Sequence, residues 1–215
     1  MIHKNLSLIM LPTIKKALSS LLLISTLSAF AETNNVSIVI HGGAGWFTGM
    51  AQDDIDGIKK ALEGSANRGY EIMLEGGTSL DAVEEAIVIL EDNPLFNAGR
   101  GAVYTSEFKQ ELDASIMDGS NLNAGAAASV TNVKNPIRLA RYIMENTKHV
   151  MFSSKGAERV AKEAGLDLVY SSYFYSKEKL ERARSQQKKN KMGTVGVVAR
   201  SEEHTSELQS PDHLV

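Results

Sequence analysis

The chain has 215 residues, 43% of them hydrophobic, and a formal net charge of −3, enough for one ordinary globular domain with a real core. The mild acidity argues against a dedicated nucleic-acid binder, which carries a clearly basic face. With no cysteine, disulfides, thiolate zinc sites and cysteine nucleophiles are excluded.

Lys4, Lys15 and Lys16 precede the apolar segment ALSSLLLISTLSAFA, which closes on Ala29-Phe30-Ala31. A basic start, a short apolar run and a small-x-small end read as a secretory signal over residues 1–31, cleaved after Ala31. The run is shorter than the roughly 20 apolar residues that span a bilayer. Export is therefore expected, in a bacterium to the periplasm, with no membrane association once the signal is removed. Of the five histidines, His3, His204 and His213 lie near the ends, which leaves His41 and His149 as core or site candidates.

Val36 to Ile40 predicts a buried strand that runs into the glycine-rich turn Gly42-Gly43-Ala44-Gly45. Ile55, Ile58, Leu62, Ala66 and Met73 recur at helical intervals, and Gly76-Gly77 stops that helix. Thr78 and Asp81 form a capping-box start for a second helix whose apolar face is Leu80, Val83, Ile87 and Leu90. EDNPLFNAGRGAVYT reads as a loop. ELDASIMDG and NAGAAASV predict neighbouring strands joined by a tight turn at Asp118-Gly119. Asn135-Pro136 opens a third helix through about Met144. HVMFS is a short strand, and KGAERVAKEAG a helix closed by Gly165. Tyr170 to Lys191 reads as an exposed, mobile connector with one helical piece around Lys177 to Arg184. Glu178 and Glu181 interrupt its basic residues and no aromatics interleave them, so it is not a nucleic-acid patch. Strands and helices mix without regular alternation, which favours a sheet with packed helices over a doubly wound parallel fold.

The run Thr194-Val195-Gly196-Val197-Val198 then reads as a strand opened by Gly193-Thr194. Inside a chain, the Thr194 hydroxyl lacks an adjacent base, because its own nitrogen is an amide. A cut before it would free an α-amine of pKa about 7.7–8.0, which can serve that hydroxyl as general base. Glycine at 193 permits strained backbone angles at such a junction. A β-branched residue also simply suits the start of a strand, and the pair alone favours that plainer reading.

Four stretches read in order change the balance: HGGAG (His41–Gly45), NPLFNAGRGAVYT (Asn93–Thr105), ELDASIMDG (Glu111–Gly119) and GTVGVVA (Gly193–Ala199). They closely resemble the isoaspartyl peptidase/L-asparaginase family, the plant-type asparaginase branch of the N-terminal-nucleophile hydrolases. The resemblance implies an α/β fold of the four-layer αββα sandwich type. It also implies a precursor that cuts itself between Gly193 and Thr194, with an α-chain over 32–193 and a β-chain that begins at 194–199. By the same resemblance, Thr194 is the nucleophile and Asn97 a supporting active-site residue. Gly42 and Gly43 lie over the scissile bond. The backbone carbonyls of Leu90, Glu91, Asn93, Phe96, Ala98 and Arg100 hold a structural sodium ion, and no cofactor serves the chemistry. The substrate implied is a small molecule, L-asparagine or an isoaspartyl dipeptide, and the assembly a dimer of αβ units.

The match ends near Ala199. RSEEHTSELQS (Arg200–Ser210) resembles a translated sequencing adapter, so Arg200–Val215 is expected to be foreign. The family's substrate-gripping residues belong to its β-chain, so the chain as it stands is expected to be inactive and not to cleave itself efficiently. Alternatives are the glycosylasparaginase branch of the same family and a non-catalytic periplasmic binding or assembly module. An α/β-hydrolase is disfavoured because no G-x-S-x-G elbow occurs.

Overall fold

A computed structural model describes residues 35–43, 49–186, 196–200 and 205–209. The described residues from Val36 onward belong to one compact unit. Strand β1 (Ser37–His41) alternates, turning Ile38 and Ile40 toward helices while Ser37, Val39 and His41 are exposed. Helix α1 (Gln52–Leu74) carries Asp53 and Asp54 in its first turn, where the helix dipole favours negative charge. It stops in a glycine cap: Gly76 has φ +87, the Gly77 amide donates to the Ile72 carbonyl at 2.8 Å, and the Gly76 amide donates to Met73 at 3.2 Å. Helix α2 (Ser79–Glu91) starts with the full capping box. The Asp81 amide donates to Thr78 Oγ1 and the Thr78 amide to Asp81 Oδ2, each at 3.1 Å. The two helices approach closely at Gly69, where a Cβ would strike the Ile38 side chain and sit 3.1 Å from the Ala82 carbonyl oxygen. Ser65, fully buried there, donates to the Ala86 carbonyl at 2.6 Å.

Strands β2 (Leu112–Asp118) and β3 (Ala124–Val130) pair antiparallel. Their connection is wider than the tight turn expected at Asp118-Gly119. The Asp118 amide donates to the Asn123 carbonyl, the Leu122 amide donates back to Asp118, and Leu122 takes the left-handed conformation at φ 63. Asp118 and Asn121 side chains organise this loop with a 2.9 Å hydrogen bond. A register shift between Leu112 and Ala114 matches a bulge at Ser129, whose φ is +51 and whose amide is held by Asp113 at 2.7 Å. The extra residue keeps Val130 buried opposite Leu112.

Helix α3 (Pro136–Asn146) begins with proline at its first position, where no amide is required. Strand β4 (Met151–Ser153) joins β3 in parallel, and helix α4 (Ser154–Glu163) ends before Gly165 at φ +71. Helix α5 spans Lys177–Gln186. Strands β5 (Gly196–Arg200) and β6 (Thr205–Gln209) complete a six-stranded sheet in the order β1-β5-β6-β2-β3-β4. Strand β6 lies within the stretch expected to be foreign and pairs with both β5 and β2.

The alternating residues Leu112, Ala114 and Ile116 are buried among residues of the helices, in two apolar clusters. The chain is therefore α/β, with one largely antiparallel sheet among the described residues.

Further expectations are corrected. Strand β1 is half-exposed rather than buried, with Val39 71% exposed. His41 and His149 are both exposed, so neither is a core histidine. The segment from Tyr170 is not wholly an exposed connector. Tyr170 is 88% exposed, but Phe174 is 1% exposed and packs in the second apolar cluster, with its carbonyl accepting from Gln110 Nε2 at 2.7 Å. No helix among the described residues is long and apolar enough to cross a membrane.

Candidate active site

Where α2 ends, the chain enters a loop shaped by its own polar groups. Asn93 Oδ1 accepts from the Leu95 amide at 3.0 Å, the turn that asparagine favours. Phe96, 2% exposed, anchors the loop in the core. Asn97 Oδ1 accepts from the Val103 amide at 2.9 Å, tying the far ends of the loop together. Between them, Gly99–Gly101 form a single 3₁₀ turn, with Gly99 at φ +48. That conformation is easiest for glycine, and a Cβ on Gly99 would collide with the Glu91 carbonyl oxygen.

The glycine turn after β1 lies against this loop. Gly43 has φ +99, and its amide donates to His41 Nδ1 at 3.3 Å. A Cβ on Gly42 would stand 3.0 Å from the Phe96 ring and 3.3 Å from a Leu62 methyl, so the absent side chain permits the approach. The pairing of β1 with β5 ends at His41 opposite Gly196. Thus Gly42, the 93–105 loop and the start of β5 come together from three separate parts of the sequence. Gly193 and Thr194 lie outside the described residues.

The side chain of Glu91 is buried beneath the loop. Its Oε1 accepts from the Ile137 amide at 3.1 Å, whereas Oε2 has no hydrogen-bond partner among the described residues. Burial pushes this carboxyl up to about 8, against hydrogen bonds from Ile137 and Asn135. Next to it, Asp92 gathers Asn135 Nδ2 at 3.1 Å, Lys134 Nζ at 3.4 Å and the Tyr173 hydroxyl at 3.4 Å. Arg100 stacks over the Tyr173 ring, 5.7 Å from its centroid.

Sequence reasoning missed Lys179. Its Nζ reaches from α5 to the Phe96 carbonyl at 3.0 Å and to the Gly101 carbonyl. Burial lowers its pKa to about 8, and neighbouring Arg182 acts in the same direction. A lysine in a charged helix gives no signal of such a contact. The six oxygens expected to hold sodium are all backbone carbonyls, donors of the kind a hard monovalent cation takes. An ammonium also already rests on Phe96, one of the six. No group of acidic residues and histidines able to hold a metal occurs among the described residues.

The sheet with its helices makes the chain an α/β protein in which a glycine turn is set against an asparagine-bearing loop, consistent with the N-terminal-nucleophile hydrolase class. The family model described as Asparaginase matches residues 34–209, and the chain belongs to that family. That match runs through β6. Similar proteins include the isoaspartyl peptidase/L-asparaginases of Xenopus laevis and Homo sapiens. Each is 38% identical, over 75% and 77% of this chain and 54% and 56% of their own lengths respectively. The plant-type L-asparaginase of Pyrococcus furiosus is 47% identical over 60% of this chain and 42% of its own length. The chain therefore spans about half the length of the curated relatives it matches.

Proposed function

We propose that this chain belongs to the precursor of a hydrolase for L-asparagine and β-aspartyl (isoaspartyl) peptides, activated by self-cleavage between Gly193 and Thr194. The observation that carries the reading is the convergence of three motifs. Gly42 packs on Phe96, and His41 pairs with Gly196, two residues beyond Thr194. The relatives' names support the substrate class.

The chemistry follows from the new chain end. In the precursor, Thr194 Oγ attacks the Gly193 carbonyl; breaking the C–N bond leaves an ester on Oγ and frees the threonine α-amine, and hydrolysis of that ester releases the Gly193 carboxylate and restores the hydroxyl. In turnover, Oγ attacks the side-chain amide carbon of asparagine, or the β-aspartyl peptide carbon, while the α-amine takes the hydroxyl proton. The tetrahedral oxyanion needs hydrogen-bond donors. Its collapse passes the proton to the departing ammonia or amine and leaves an ester on Thr194, which water then hydrolyses. Asn97 supports this geometry through its loop, which its side chain closes onto Val103. A sodium ion held by the carbonyls of Leu90, Glu91, Asn93, Phe96, Ala98 and Arg100 would brace that loop and take no part in bond making. Export to the periplasm and a dimer of αβ units complete the proposal.

The test is Thr194→Ala in the protein expressed from its complete gene. Intact-mass spectrometry is expected to show cleavage before residue 194 in the parent and none in the variant, with asparagine and isoaspartyl hydrolysis lost together. A Thr194→Ala protein that stays uncut yet hydrolyses substrate at the parent rate would overturn the reading.

A further inference from the structure

Most charges on helix α5 pair along its own surface. Arg182 bonds Glu178 at 2.9 Å, and Lys177 approaches Glu181 at 3.9 Å. Lys179 instead turns inward. Its ammonium, half-buried, donates to the carbonyl oxygens of Phe96 and Gly101. Other contacts fix the same helix in place. Ser176 Oγ caps it by accepting from the Lys179 amide at 3.3 Å, and the Ser176 amide donates to Tyr104 Oη at 3.2 Å. Arg184 lies over Phe108, 5.8 Å from the ring centroid. Helix α5 is thus docked on the loop that carries Asn97, with a positive charge set against backbone carbonyls.

An ammonium held by carbonyls occupies the chemical place of a monovalent cation. Phe96 O is also one of the oxygens proposed above to hold sodium. A carbonyl oxygen has two lone pairs, but two positive charges that share one oxygen away from bulk water repel each other. Filling both positions is therefore disfavoured.

We propose that helix α5 and a monovalent cation are antagonistic occupants of this loop, because Lys179 Nζ and the ion compete for the Phe96 carbonyl oxygen. Loading the loop with cation loosens the helix that leads toward Gly193–Thr194, and undocking the helix tightens cation binding. The inference rests on the reading of the loop as a sodium site, and on nothing in the Thr194 chemistry.

The experiment is hydrogen-exchange mass spectrometry on the full chain in sodium chloride against choline chloride at equal ionic strength. It follows peptides over 90–102 and 177–186. Sodium is expected to protect 90–102 and to speed exchange in 177–186 by about tenfold, a usual size for coupling between two sites. In Lys179→Met, α5 exchanges fast in both salts. Because such coupling is reciprocal, the sodium midpoint for loop protection falls by about the same factor, tenfold. Lys179→Arg keeps a positive charge at the loop and restores both responses. Should Lys179→Met fail to fold, the parent's α5 response and the arginine variant decide. Protection of the loop with α5 unchanged overturns the antagonism alone. No sodium effect on either peptide overturns the sodium reading together with the inference.

Discussion

A Cβ on Gly101 would strike the Phe96 carbonyl oxygen and stand 2.7 Å from that of Pro94. Those atoms are backbone, so they cannot swing aside as the end of a side chain would. The loop is compact because residues 99 and 101 have no side chain, and that compactness brings the Phe96 and Gly101 carbonyls within reach of one ammonium. Gly101→Ala is therefore expected to destabilise the protein by about 1–3 kcal/mol, the usual cost of forcing extra volume into a packed site. Urea denaturation measures it. The same substitution at Gly156, where a Cβ meets nothing within 4 Å, is the control and is expected to be neutral or slightly stabilising, since Gly156 lies inside helix α4.

Among the elements, α2 shows how local chemistry and packing act together. Thr78 and Asp81 satisfy each other's amides, and Asp81 also pairs with Arg141 of α3 at 2.7 Å. Burial pushes the Asp81 carboxyl up, but the hydrogen bonds from Thr78 and Arg141 outweigh it and hold the pKa below its ordinary 3.8. A carboxyl whose folded value is depressed contributes stability that is fully present above 3.8 and is lost as pH falls through the folded value. Thr78→Ala should cost about 1 kcal/mol at neutral pH. Asp81→Asn should remove part of the acid sensitivity, seen as a shallower fall of the urea midpoint below that pH. A variant with the parent's acid profile would show that the pair is indifferent to folding. This helix was legible in the sequence because Thr78, Asp81 and the apolar spacing of Leu80, Val83 and Ile87 are all local. The hairpin was legible as two strands but not in its turn, because Asp-Gly starts tight and wide turns alike and the positive φ falls on Leu122. The docking of Lys179 was not legible at all. It joins residues about eighty positions apart, and composition in a charged helix says nothing about which lysine turns inward. The glycine turn and the Asn97 loop stood out by motif, but their contact through Gly42 and Phe96 exists only in the fold.

At the scale of the whole molecule, two apolar clusters form the interior. One collects β1, α1 and α2 with Ala114 and Ile116 of β2; the other collects Leu112, β3, α4 and Phe174. Helix α3 belongs to both. It gives Ile137 and Ala140 to the first and Leu139 and Ile143 to the second, and all four are fully buried. An element whose two faces close two clusters forces them to lose their packing together, so the described fold is expected to unfold in one cooperative transition. Ile137→Ala and Ile143→Ala each remove a buried branched side chain, and each is expected to cost about 2–5 kcal/mol. Both should move the same transition, with tyrosine fluorescence and far-ultraviolet circular dichroism shifting in step. If Ile143→Ala moved only the tyrosine fluorescence, to which Tyr173 beside the second cluster contributes, while the helical signal kept its midpoint, the clusters would be independent. The loop bearing Asn97 would then straddle two separately melting units, because Phe96 packs in the first cluster and Ala102 in the second.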